Sequence, residues 1–120
     1  MLDKLRDRSL VVIKDGNIIF ESDKDRLRPI IMCINKQDIR GSIVLDKVVG
    51  LAAAKLFAFA KVKKVYAKIA SKAAVNYLGG NIRAQKIVDN VMNDDMTEIC
   101  PMERLAEKID SKELFEKLNK

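Results

Sequence analysis

The amino-acid sequence predicts an α/β protein, and three stretches carry that prediction. Leu10-Val11-Val12-Ile13 and Asn17-Ile18-Ile19-Phe20 are β-branched runs separated by Lys14-Asp15-Gly16, the pattern of a β-hairpin that turns at Asp-Gly. From Val48 to Ala60 only Lys55 is charged, so a helix there is apolar nearly all round and must be enclosed on most sides. Beyond it, an imperfect apolar–polar alternation over Val62–Ile69 reads as a strand and is followed by a helix that Ser71 caps and Gly79-Gly80 ends, an order of elements that gives an α/β sandwich.

In chain order, Leu2 and Leu5 suit a short helical turn before Ser9. After the hairpin, Ser22 or Asp23 is placed to cap a helix carrying Leu27, Ile30, Ile31 and Ile34, with Pro29 in its first turn and its end near Asn35. Gly41-Ser42-Ile43-Val44-Leu45 leads as a tight turn or short strand into the central helix. That helix is expected to begin at Asp46, whose carboxylate would accept orphan amide bonds. Gly50 in its first turn implies close packing, and Lys55 is expected to reach solvent. Asn81 to Met92 reads as one broken strand or a strand pair, interrupted by Gln85-Lys86 and Asp89-Asn90, and Asn93 to Glu98 as a loop. Pro101 suits a first helical position, with Glu103 third, where a carboxylate favours the helix start. Ser111 to Leu118 repeats the capped-helix pattern. There is no internal repeat and no linker, so residues 1–120 read as one domain.

A chain of 120 residues, 48% hydrophobic and 33% charged, can bury a core without disulfides or metals. Cys33 and Cys100 stand in unlike contexts and do not suggest a disulfide. The segment Met1 to Arg8 lacks the apolar core of a signal peptide, and Val48–Ala60 is too short to span a bilayer, so a cytoplasmic protein is expected. The absence of histidine removes Ser-His and Cys-His nucleophiles, histidine bases and histidine-containing zinc sites. A net charge of +6 favours anionic partners, although two Tyr, four Phe and no Trp leave little material for stacking bases.

Ligands of α/β sheets collect where strands hand over to helices. Three such helix entrances are expected here, at Asp46-Lys47, Ser71-Lys72 and Cys100-Pro101-Met102-Glu103. Capping accounts for Asp46 and Ser71. Lys47 opposes the helix dipole, so it calls for a carboxylate or an anionic ligand as partner. Cys100 at a helix start would have its thiolate stabilised, with Glu98 and Glu103 opposing ionisation.

The strings Leu45-Asp46-Lys47-Val48-Val49-Gly50-Leu51-Ala52-Ala53-Ala54 and Cys100-Pro101-Met102-Glu103, with the order of elements, resemble a family of small bacterial and archaeal proteins of unknown function with a cytidine-deaminase-like fold. The resemblance spans Ser9 to Leu105 and implies a three-layer α/β/α sandwich with a hairpin-led mixed sheet. Zinc deaminases of that fold carry His-x-Glu or Cys-x-Glu at one helix entrance and Pro-Cys-x-x-Cys at the next. The corresponding positions here hold Asp46-Lys47-Val48 and Ser71-Lys72-Ala73-Ala74, and Cys100-Pro101 reverses the second motif one helix too late. Neither zinc nor any other cofactor is expected, and deaminase chemistry does not carry over.

The first functional expectation is a site for a small nucleotide-like or anionic molecule. Asp46, Lys47, Cys100 and Glu103 would be its catalytic candidates, Lys47 as anchor and a carboxylate as acid or base, with Ser71 and Lys72 binding the ligand. The alternative is a non-catalytic module that uses Lys61, Lys63, Lys64, Lys68 and Lys72 as a basic patch for nucleic acid or an acidic protein. No membrane partner is expected, and self-association is left open.

Overall fold

The computed structural model describes residues 2–24, 27–91 and 101–119. Among these, β1 (Leu10–Lys14), β2 (Asn17–Ser22), β3 (Ile43–Val49), β4 (Lys64–Ser71) and β5 (Ile82–Val88) form one sheet in the order β2-β1-β3-β4-β5. β1 runs antiparallel to β2 and β3, whereas β3, β4 and β5 are parallel. The helices are α1 (Arg28–Lys36), α2 (Leu51–Phe59), α3 (Lys72–Leu78), α4 (Pro101–Lys108) and α5 (Ser111–Leu118), with single 3-10 turns at Leu2–Lys4 and Gly79–Asn81. The mixed, hairpin-led α/β sheet is the architecture expected from the sequence.

The hairpin turns at Asp15 and Gly16, with φ of 53° and 81°, the paired left-handed conformation whose twist matches that of the strands. Pro29 lies in the first turn of α1, where its missing N–H costs nothing. Neither expected cap is used there. Ser22 belongs to β2 and accepts a hydrogen bond from the Lys24 amide at 3.1 Å, while Leu27 precedes α1 without a side-chain cap. Ser71 does cap α3, accepting from the Ala74 amide at 3.1 Å, and Gly79 ends that helix at φ 58°. For α5 the cap is Asp110, one residue before Ser111, accepting from the Glu113 amide at 2.8 Å. β5 is a single strand rather than a broken one. Its Gln85 and Lys86 are exposed on an edge strand, where polar residues need not interrupt pairing.

The largest correction concerns the start of the central helix. Asp46-Lys47 is not a helix entrance: the short strand expected before it is the middle strand β3, which runs from Ile43 on to Val49, and α2 begins only at Leu51. Ile43, Val44 and Val49 are β-branched and fit a pleated surface enclosed between neighbours, Val48 is β-branched but exposed, and Gly50 marks the handover to the alanine-rich helix. Once formed, α2 is the hub of the helical layer and packs against α1, α3, α4 and α5. Ala52, Ala53, Ala54, Leu56 and Phe57 are buried, the alanines allowing close approach from several sides, and Phe59 stacks on Phe115 of α5 with ring centroids 4.7 Å apart.

The two faces of the sheet are covered unequally. Alternate residues such as Val12, Val44, Val65 and Ala67 join the larger core, which includes residues of all of α1 to α5. Val11, Ile13, Ile43, Leu45 and Tyr66 point to the other face, where Leu2 and Leu5 close a smaller cluster. The third layer of the sandwich is thus one 3-10 turn among the described residues.

Replacing Gly16 by Ala tests the hairpin. A Cβ there meets nothing within 4 Å, so only the positive φ opposes it. A loss of about 1–2 kcal/mol in urea unfolding is expected; an unchanged midpoint would show that the turn relaxes to another type.

Candidate functional site

The start of α2 is built from two distant parts of the chain. Gly50, extended at φ −97° and ψ −175°, precedes the helix and supplies no capping side chain. Its place is taken by Glu103 of α4, whose Oε2 accepts the Ala52 amide at 3.0 Å, with Leu51 a second donor. Burial pushes the Glu103 carboxyl above the usual glutamate range, these two amides oppose that shift, and nearby Glu107 adds to it. The expectation that Glu103 serves its own helix start is therefore replaced: it caps a neighbouring one. A Cβ on Gly50 would fall 1.4 Å from Glu103 Oε1 and 2.5 Å from Cδ, so only glycine leaves room for the carboxylate.

Lys55 returns the contact one turn later. Its ammonium does not run out to water as expected but donates to the carbonyls of Ala106 and, at 2.7 Å, Ile109, at the end of α4. It also lies 5.7 Å from the centre of the Tyr77 ring. α2 and α4 lie side by side in parallel and each neutralises one end of the other's dipole: carboxylate on an N-terminus, ammonium on a C-terminus.

The expected helix-entrance residues do not converge. Asp46 lies within β3 beside Leu10 and Ala67, so it caps nothing. Burial raises its carboxyl to about 8, against the pull of the Val48 and Lys47 amides. Lys47 is exposed on the same strand, its backbone amide bonded to the Ser9 carbonyl at 3.1 Å, and it has no ion pair among the described residues. No helix dipole acts against it. Ser71 has its hydroxyl committed to Ala74, and Lys72 pairs with Asp89 at 2.8 Å. Cys100 and Glu98 lie outside the described residues. Cys33 is fully buried in α1, with burial pushing its thiol up to about 11. At the real entrance of α2 stand Gly50-Leu51-Ala52-Ala53, which offer no metal-ligating side chain.

What the register does assemble is a group of cations on the thinly covered face. Tyr66 lies between Leu45 and Arg83 in one cross-strand row. Between the paired rows of Asp46 with Ala67 and Ala84 and of Val48 with Ile69 and Lys86, both ladders skip one row, and that row holds Lys47, Lys68 and Gln85. Lys47 follows Leu45, and Lys68 follows Tyr66, by two residues, which puts them on the same face; beyond this row the alternation breaks, since Val49 and Ala70 belong to the larger core. A shallow depression of about 250 Å³, lined by Leu2, Tyr66, Arg83, Ala84 and Gln85, opens there. Sequence reading missed Arg83 and Gln85, because only strand pairing brings them beside Tyr66.

An α/β domain whose helix entrance is filled by its own carboxylate, and whose sheet carries helices on one face and, among the described residues, a 3-10 turn on the other, is the class these features define. The whole chain, residues 1–120, matches the family model TM1506, described as a domain of unknown function (DUF1893), and the protein belongs to that family. It is similar to a DUF1893 family protein from Thermotoga maritima whose crystal structure is known at 2.70 Å resolution. The two share 31% sequence identity at a TM-score of 0.84, over 96% of this chain and 81% of that one. A search of curated proteins returns no match. The resemblance of Leu45–Ala54 and Cys100–Glu103 to a family of unknown function is met in this membership. No helix among the described residues is long and apolar enough to cross a membrane.

Two outcomes test this description. Gly50→Leu must expel Glu103 and is expected to cost about 2–4 kcal/mol, combining overpacking with a lost cap. Lys55→Leu strands two carbonyls and is expected to cost about 1–2 kcal/mol. Urea unfolding that ranked the two in the opposite order would contradict the clamp.

The second outcome is a pH profile. The folded Asp46 carboxyl titrates at about 8, raised from 3.8, so folding takes up a proton between those values. Stability is then full below about pH 4 and falls as pH rises toward 8. Glu103, also raised, acts in the same direction, whereas Asp38 and Asp89, both lowered, act below that window. Asp46→Asn should flatten the decline of Tm between pH 5 and pH 8; an equally steep profile would place the titration elsewhere.

Proposed function

We propose that this protein is a non-catalytic module that binds polyanions through the sheet face its helices leave uncovered. The supporting observation is that Lys47 and Lys68 occupy the row the ladders skip, next to the row of Arg83, with no carboxylate on that face of β3, β4 or β5. Like charges side by side across strands repel, and a bound anion relieves that repulsion. Glu21, an acid of this face, is at the opposite edge of the sheet on β2 and pairs with Arg8 at 3.3 Å, and Asp3 belongs to the 3-10 turn over it. The small-molecule reading has less support. An anionic ligand at the α2 entrance would have to displace Glu103, and the hydroxyl of Ser71 and the ammonium of Lys72 already have partners. The basic patch expected from sequence is also redrawn. Lys64 and Lys68 share the face with Tyr66, Lys72 is paired with Asp89, and Lys61 lies in the turn before β4 with φ 60°.

Heparin affinity measured between about 50 and 200 mM salt tests the proposal. Three charge contacts predict a log–log slope near −2, at about 0.7 per contact. Lys47→Gln with Lys68→Gln should reduce the slope by about 1.4 and leave stability within about 0.5 kcal/mol. The charge-matched control Lys112→Gln with Lys117→Gln, exposed on α5, should change the slope little. Equal effects of the two pairs would reduce the binding to net charge and end the proposal.

A further inference from the structure

We infer that the polyanion is a single-stranded nucleic acid, laid across β4 and β5 with one base against the ring of Tyr66. The inference rests on the polyanion reading and adds the chemistry of the depression beside the cations. Tyr66 is half-buried: one side packs into the cluster of Val11, Ile13, Leu45 and Leu5, and its ring also forms part of the depression wall. Packing therefore holds the ring in place before anything binds. The depression, about 250 Å³, is lined by Leu2, Arg83, Ala84 and Gln85 beside Tyr66, with Ala84 also packed against the larger core. Arg83 carries donors only, whereas the Gln85 amide both donates and accepts, as hydrogen bonding to a base edge requires.

Geometry selects the single strand. Lys47 and Lys68 stand one row further along the strands from Tyr66, about 7 Å away at two residues of rise. A backbone held by those ammonium groups can turn a base toward the ring. In a duplex the bases are stacked and paired, and a sheet face with one recessed ring cannot reach between them. The sequence holds few aromatics, but stacking on a strand-borne platform needs only one ring placed among cations.

The experiment uses fluorescence anisotropy of the full chain with a labelled oligothymidylate and with a duplex of equal length, at about 50 mM salt. The single strand should bind more tightly than the duplex. Tyr66→Leu, which keeps the apolar packing, should weaken single-strand binding roughly fivefold or more, the low end of one base–aromatic stack, while Tyr66→Phe retains affinity. The chain has two tyrosines and no tryptophan, so in a Tyr77→Phe background all tyrosine emission comes from Tyr66 and should be quenched by the oligonucleotide. This readout needs no alteration of Tyr66 and keeps the test open if Tyr66→Leu does not fold. Equal affinity for duplex and single strand, wild-type binding by Tyr66→Leu, or absent quenching would overturn the single-strand inference while leaving heparin binding intact. Loss of binding to heparin and both oligonucleotides would instead overturn the polyanion reading beneath it.

Discussion

The carboxylate of Glu103 over the first amides of α2 is the contact on which the helical layer depends. α2 is nearly uncharged and packs against four other helices, so its N-terminal amides have little access to water. Unmet, a buried donor costs about 1–3 kcal/mol. A capping side chain at position 50 would meet the need locally, but the parallel approach of α4 leaves no volume for one. Glycine plus a carboxylate from elsewhere in the chain solves both problems. The return contact from Lys55 to the end of α4 means that neither helix can shift along the other without breaking a charged hydrogen bond.

This clamp also bears on chemistry. An N-terminus of a buried helix is where an α/β protein ordinarily receives an anion, by dipole and free amides together. Here the protein supplies the anion itself, and the second entrance is closed by Ser71 in the usual way. Charge that looks available in the sequence is largely committed: Lys55 to carbonyls, Lys72 to Asp89, Arg40 to Asp38 at 2.8 Å. Lys47, Lys68 and Arg83, which have no such partner among the described residues, lie together on the face that a 3-10 turn covers among those residues. Unequal layering thus connects the fold to the proposed activity, since a second helical layer would bury Lys47, Lys68 and Arg83 at prohibitive desolvation cost.

Local chemistry determined much of this protein from the sequence alone. The Asp15-Gly16 turn, the Ser71 cap, the Gly79 stop and the start of α4 at Pro101 all depend on residues within one turn of each other, and each was legible. So was the demand that the apolar run be enclosed, which is met from Val49 onward, whereas Val48 stays exposed. Two properties were not legible. A β-branched run that continues into an alanine-rich run has no internal mark of where strand becomes helix, because both are buried and both periods are masked by uniform apolarity. Tertiary pairing with β1 and β4 decided it, and moved Asp46 and Lys47 from a helix entrance into a strand. The partners of Glu103 and Lys55, each 51 or more residues away, and the meeting of Lys68 with Lys47 and of Tyr66 with Arg83, arise only when elements dock. Sequence spacing carries no information about which cap a carboxylate will reach or which cations will share a face, since both depend on how helices and strands lie beside one another in three dimensions.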